Sequence, residues 1–327
     1  MANQIGARLL RGIRTLKSTA GIISAGLLCL SAGTAHAASL SYVGVDYPWI
    51  GYGWGFGSSY NSSTADSYLN EIRYTYHCNL VRIWCCEGLD GLTFNSSGAC
   101  TGLSSTNISH IQDFVGRANG KGITCDCVFI NYMDVQSHSN YFTNSTNKTA
   151  LINNGFVPFA RALSGKTAWI DLINEGNLAT NTVSWSVLRS FCSSAVSAAR
   201  SNGVNNWITM SDQNSSDYTS YFSSTVGGLG FNFYDYHAYG DSGALAVSPS
   251  NVGNAPLLCG EFGPGSPWMN RSDSANQTTI NNIMGNATSK GYIGVAGWSY
   301  LPDGSNWQLR GNNAMWVIEY FGNLYGH

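Results

Sequence analysis

Two glutamates, Glu175 and Glu261, stand in matching surroundings. One closes the apolar run Ala168-Trp-Ile-Asp-Leu-Ile-Asn-Glu175 and the other closes Ala255-Pro-Leu-Leu-Cys-Gly-Glu261, with Gly176 and Gly263 close behind. Runs of this length, apolar and stopped by polar residues and glycine, read as buried strands that deliver their polar groups at the carboxyl end. In a parallel α/β architecture that end is where chemistry sits. Two carboxyl groups in unlike environments can work as a pair, one protonated and the other ionised.

Other candidates fall at the same kind of place. Asn174 directly precedes Glu175. Arg82 lies inside Asn79-Leu-Val-Arg-Ile-Trp84, where a charge is costly unless a carboxylate pairs with it. His237 and Tyr239 are two apart at the end of Phe233-Tyr-Asp-Tyr-His-Ala-Tyr239 and share a face if the strand continues. Trp298-Ser-Tyr300 ends a further run and offers a flat apolar floor. Each has an ordinary alternative: a structural ion pair, hydrogen-bonded packing, a core aromatic. Their recurrence at successive strand ends is what points to a site.

The elements that must position them alternate along the chain. Strands are predicted at 41–46, 79–84, 123–130, 168–173, 207–210, 231–236, 257–259 and 293–298, with helices at 64–77, 108–119, 149–163, 185–200, 217–222, 278–289 and 313–324. Eight apolar rather than alternating strands separated mostly by helices predict an α/β fold, a single (β/α)8 TIM barrel. A doubly wound open sheet is the runner-up. It wants a glycine-rich phosphate loop after the first strand, and Gly51-Tyr-Gly-Trp-Gly-Phe-Gly57 has neither the spacing nor the polarity.

With these residues in this order, the chain resembles the large clan of retaining (β/α)8 glycoside hydrolases. It is closest in pattern to the family-five group of cellulases and mannanases, over nearly the whole mature length. The resemblance implies that Glu175 is the general acid/base and Glu261 the nucleophile. It further implies that Asn174 binds the sugar 2-hydroxyl, that Arg82 and Tyr239 keep Glu261 ionised and oriented, that His237 neighbours the acid/base, and that Trp298 is a stacking platform. Two positions depart from the pattern. Gly176-Asn177 follows Glu175 where proline is usual, and Asn131, counted here among the substrate-binding residues, stands where the family often has histidine. The implied reaction is double-displacement hydrolysis of a β-linked neutral polysaccharide, β-1,4-glucan ahead of β-mannan, without metal or organic cofactor. Trp49, Trp54 and Trp268 are expected to flank an open cleft. A transglycosylase on the same scaffold and a non-catalytic carbohydrate-binding protein are the alternatives.

Composition agrees with such a ligand. Charged residues make up 10% of the chain, the formal net charge is −2, and no basic block occurs, which argues against nucleic-acid or anionic-membrane partners. The 10 Trp and 18 Tyr among many Asn, Ser and Gly suit a neutral ligand with apolar faces and hydroxyl edges. Residues 1–37 read as a secretory signal peptide: four basic residues, a short apolar stretch, then Ala35-His-Ala37. The catalytic domain is expected to span 38–327 and to be secreted, extracellular or periplasmic, and monomeric. Cys29 leaves with the leader, and the eight remaining cysteines predict disulfides, one of them closing Cys85 or Cys86 onto Cys100.

Overall fold

The computed structural model describes residues 40–49, 55–213, 228–303 and 306–326. The predicted leader, Trp54 and the predicted helix at 217–222 lie outside them. Every main strand is parallel to its neighbours, in the order β7-β6-β5-β2-β1-β11-β10-β9-β8. These are β1 (Tyr42–Asp46), β2 (Leu80–Trp84), β5 (Thr124–Asn131), β6 (Ala168–Asn174), β7 (Trp207–Thr209), β8 (Ser211–Asp212), β9 (Tyr234–Tyr239), β10 (Leu257–Gly263) and β11 (Gly294–Gly297). β7 and β8 are two pieces of one barrel position, interrupted at Met210. The first piece pairs with β6 and the second with β9, so the ring closes through a single split strand. The protein has the (β/α)8 barrel fold.

All residues of β5, β6 and β10 are buried, as expected of strands covered by helices outside and side chains within. The covering helices are amphipathic. On the helix Trp185–Ser201, Leu188, Phe191, Cys192, Ala195, Val196 and Ala199 face the sheet at helical spacing. Ser62–Asn70 runs on through a wider turn at Glu71–Thr75, which absorbs the longer helix expected from the sequence.

Strand residues alternate between the helices and the barrel interior, and the inward set falls into layers. Leu80, Trp169, Phe233, Leu258 and Ala296 meet near the strand starts as an apolar plug. Two residues further along β2, β6 and β9 come Arg82, Asp171 and Asp235, with Asp46 and Asp126 beside Arg82 in register. One more step brings Trp84 and His237 to the carboxyl end.

The loop after β2 differs from expectation. A small antiparallel hairpin, β3 (Leu92–Phe94) with β4 (Cys100–Leu103), closes it. The expected disulfide between Cys100 and Cys85 or Cys86 is not formed, and all eight described cysteines are buried free thiols. Burial holds the thiols of Cys86, Cys125, Cys127 and Cys259 well above their ordinary range, so they pack as small apolar groups.

β1 and β2 approach so closely that a Cβ on Gly44 would lie 2.1 Å from the Leu80 carbonyl oxygen. Gly44→Ala should therefore cost about 2 kcal/mol or more, read as a lowered midpoint of thermal unfolding. An unchanged midpoint would mean that the two strands do not pair in this register.

Candidate active site

The top layer depends on one irregularity. By alternation from Leu258, residue 261 should face the helices. Between Leu258 and Glu261 the register slips by one residue against β9, and β10 slips likewise against β11. The extra residue is a bulge, and it turns Glu261 inward. Gly260 sits at the slip. Its N–H donates to Asp235 Oδ1 at 2.6 Å, and a Cβ there would meet Asp235 Oδ2 at 2.1 Å.

Glu175 is aimed differently. It lies just past β6 with φ 50° and ψ 45°, a left-handed conformation rare and costly for a residue with a side chain. Its N–H donates to Ser211 Oγ at 2.9 Å. A Cβ on Gly176 would lie 2.4 Å from Met210 Sδ, in the break between β7 and β8. Proline at 176 would lack that space and would drive Glu175 toward extended backbone. The glycine at this position therefore follows from the local geometry.

Arg82 is fully buried beneath both glutamates. Its guanidinium nitrogens lie 2.7 Å from Glu261 Oε1, 2.7 Å from Asp171 Oδ2, 3.3 Å from Asp126, 3.5 Å from Asp46 and 3.7 Å from Asp235. It also donates to Asn174 Oδ1 at 2.8 Å and stands 4.4 Å over the ring of Trp84. Five acids around one cation cannot all be charged in a dry interior. Burial pushes the Asp46 carboxyl well above the usual range, and Glu261 adds to that. Burial does the same at Asp126, where the attraction of Arg82 opposes it without cancelling it. Asp171 is the best satisfied, accepting from Arg82, from Ser211 Oγ at 2.6 Å and from the Ser211 and Ile173 N–H groups.

Glu261 Oε2 accepts from the Tyr239 hydroxyl at 2.7 Å. His237, buried between the two glutamates, places Nδ1 3.1 Å from Glu175 Oε1 and 3.5 Å from Glu261 Oε2. One atom from each of these three side chains lies within 4.8 Å of the others. They are also the group, among the described residues, whose donors stand close enough to hold a cation. Positive charge against Glu261 is supplied by His237 and Arg82. Burial raises the Glu261 carboxyl above its ordinary value, with His237, Arg82 and the Tyr239 hydroxyl pulling the other way. At His237 burial is opposed by the attraction of Glu261 and by interactions with Asp235 and Glu175, which together hold its imidazole well above its ordinary range.

These groups open onto a cleft of about 930 Å³ lined by Trp49, Trp84, Trp298, Trp307, Asn131, Asn174 and both glutamates, among others. Trp298 meets Trp84 edge to face at 5.3 Å and Trp49 at 6.2 Å. The structure thus brings together Arg82, Asn174, Glu175, His237, Tyr239, Glu261 and Trp298. One expectation is corrected. Trp268 does not flank the cleft; it is fully buried against Phe262, with Nε1 donating to the Trp298 carbonyl, and so supports the floor from behind. Asn131 lines the cleft, and its amide donates to Glu87 Oε1 at 2.8 Å. Glu87, Trp84 and Trp307 were not singled out from the sequence. Trp84 was legible as the inward residue two after Arg82, whereas Glu87 and Trp307 lie on loops with no periodicity to read.

No protein-family model and no curated protein matches the chain. Solved structures are similar in fold. A β-mannanase from the blue mussel Mytilus edulis is 18% identical with a TM-score of 0.68, over 86% of this chain and 92% of that one. A β-1,4-D-mannanase from Cryptopygus antarcticus is 23% identical with a TM-score of 0.66, over 87% and 90%. An endo-1,4-β-mannanase from Eisenia fetida is 19% identical with a TM-score of 0.68, over 86% and 91%. Likeness at these identities establishes the barrel.

The unequal partners of Arg82 should behave unequally. Asp171→Asn removes one of its two closest charge partners and should cost about 3–5 kcal/mol. Asp126→Asn mimics a carboxyl already protonated. Because the folded-state value of Asp126 is raised, wild-type stability falls as pH rises from the ordinary aspartate value toward the raised one. The Asn variant escapes that loss, so at pH 7 it should be at least as stable as wild type, the two converging near pH ~4. Denaturant unfolding at several pH values tests this, and equal damage from both substitutions would refute the assignment.

Proposed function

We propose that the protein is a secreted retaining glycoside hydrolase of the β-mannanase type, cleaving β-1,4-linked neutral polysaccharide within the chain. The observation that carries this reading is the carboxyl pair: oxygens of Glu175 and Glu261 lie within 4.8 Å of one another at the floor of an aromatic cleft. Retaining glycosidases hold their carboxyl groups about 5–5.5 Å apart, whereas inverting ones leave about 6.5–9.5 Å for a water. The mannanase neighbours support mannan ahead of glucan, reversing the order expected from the sequence. The leader-like residues 1–37 support export. Among the described residues no helix is long and apolar enough to cross a membrane.

The chemistry follows from the placement. Glu261, oriented by Arg82 and Tyr239, attacks the anomeric carbon. Glu175 gives its proton to the departing glycosidic oxygen, and a glycosyl ester on Glu261 results. Water then adds to the anomeric carbon as Glu175 takes back a proton, and the ester bond breaks with net retention. His237, bonded to Glu175 and close to Glu261, ties the two carboxyl groups electrostatically. Asn174, held by Arg82, faces the sugar beside them. The tryptophans stack on apolar sugar faces.

Reducing-end release from galactomannan, glucomannan, carboxymethyl-cellulose, barley glucan, laminarin and xylan tests the substrate class. Galactomannan or glucomannan should respond. Glu175→Gln should lose roughly 10²–10⁴ in kcat, and Glu261→Gln should leave almost none. Wild-type silence on every substrate would sink the reading.

The pH profile gives a separate check. Glu261 must be ionised to attack, and its value is raised, so activity should be lost as pH falls through a point above the ordinary glutamate range. Tyr239→Phe removes a hydrogen bond to the charged form and should move this acid limb of kcat/KM to higher pH. A limb that stays put would detach it from Glu261.

A further inference from the structure

Beyond the catalytic pair the cleft contains a third placed glutamate. Glu87 opens a short turn, Glu87–Leu89, after β2. Backbone bonds fix the turn on both sides: the Cys85 and Cys86 N–H groups donate to Val128 and Phe129 at 2.8 and 3.0 Å, and Gly88 N–H donates to Asp134 Oδ2 at 3.2 Å. Gly88 and Leu89 follow with φ 65° and 61°. A leucine in the left-handed region is uncommon and persists only where its surroundings impose it. The backbone therefore holds Glu87 in one place.

Its side chain is as closely held. Trp49 Nε1 donates to Oε2 at 2.5 Å and Asn131 Nδ2 donates to Oε1 at 2.8 Å. Both partners are neutral donors, and each carboxylate oxygen keeps a second lone pair. The half-buried Glu87 lines the cleft, and no Lys or Arg is among the described residues that line it. Two acceptor oxygens, held apart and facing a cleft of sugar-binding character, match a pair of neighbouring hydroxyls. Trp298 contacts Trp49, and Trp49 bonds Glu87, so this carboxylate lies one ring further out than the platform beside the nucleophile.

We propose that Glu87 is a substrate-binding residue that accepts hydrogen bonds from two hydroxyls of the sugar unit next to the one that reacts, with Asn131 and Trp49 as its positioning partners. This rests on the glycanase reading above and extends it to a specificity position. Asn131 then acts through Glu87 rather than through its own contact with the sugar.

The test is steady-state hydrolysis of β-1,4-manno-oligosaccharides of two to six units by wild type, Glu87→Gln and Glu87→Asp. Calorimetric binding of the six-unit sugar to Glu261→Gln, with and without Glu87→Gln, accompanies it. We expect a tenfold or greater rise in KM on the longest substrates with kcat and its pH profile little changed, a much smaller effect on the shortest, and at least tenfold weaker binding in the double variant. Glu87→Asp keeps the charge and serves should the glutamine variant fold poorly; an intermediate loss is expected of it. A penalty equal at every length, or one confined to kcat, would mean that Glu87 only braces the loop and would overturn the proposal. Unchanged kinetics in the Glu87 variants of an active enzyme would overturn it while leaving the function intact. A wild type that cleaves none of the oligosaccharides would overturn both.

Discussion

The interaction on which the site depends is the burial of one guanidinium among more acids than it can neutralise. Arg82 has no exposure to water and five carboxyl groups within reach. Its charge is tolerable only because two short ion pairs, to Asp171 and Glu261, offset the cost of leaving water. Burial holds the carboxyl groups of Asp46 and Asp126 well above the usual range, which relieves the excess of negative charge. The nucleophile candidate is therefore a member of the charge balance that holds the barrel centre together, and its ionisation cannot change alone. His237, lying against Glu175 and Glu261, extends the same balance to the second carboxyl group.

Above and below this layer the barrel is ordinary. An apolar plug closes the amino-terminal end, and helices cover the outside. A rigid, close-packed support is what allows the strained backbone at Glu175 and the positive φ at Leu89 to persist, since nothing local would otherwise maintain them. Both strained residues sit at or beside the cleft.

Much of this was legible in the chain. The barrel strands were readable because parallel strands covered on both faces are apolar throughout, and Glu175, Arg82, His237 and Tyr239 followed as polar interruptions or exits. What escaped reading has a common cause. The placement of Glu87 and the burial of Trp268 depend on contacts between segments far apart in sequence, which no local pattern encodes. The even cysteine count pointed to disulfides, yet each thiol has a core position that burial alone explains. Tryptophan count likewise does not separate a stacking platform such as Trp298 from a buried brace such as Trp268.

The bulge in β10 bears on how such a site can vary among relatives. Because alternation would send Glu261 to the wrong side, its role depends on the number of residues between Leu258 and itself as much as on being glutamate. Straightening the bulge with the number of residues unchanged would leave every side chain chemically intact and rotate the carboxylate out of the cleft. The irregularity in this one strand is thus a heritable functional trait, able to abolish or restore the pair of carboxyl groups without altering either of them.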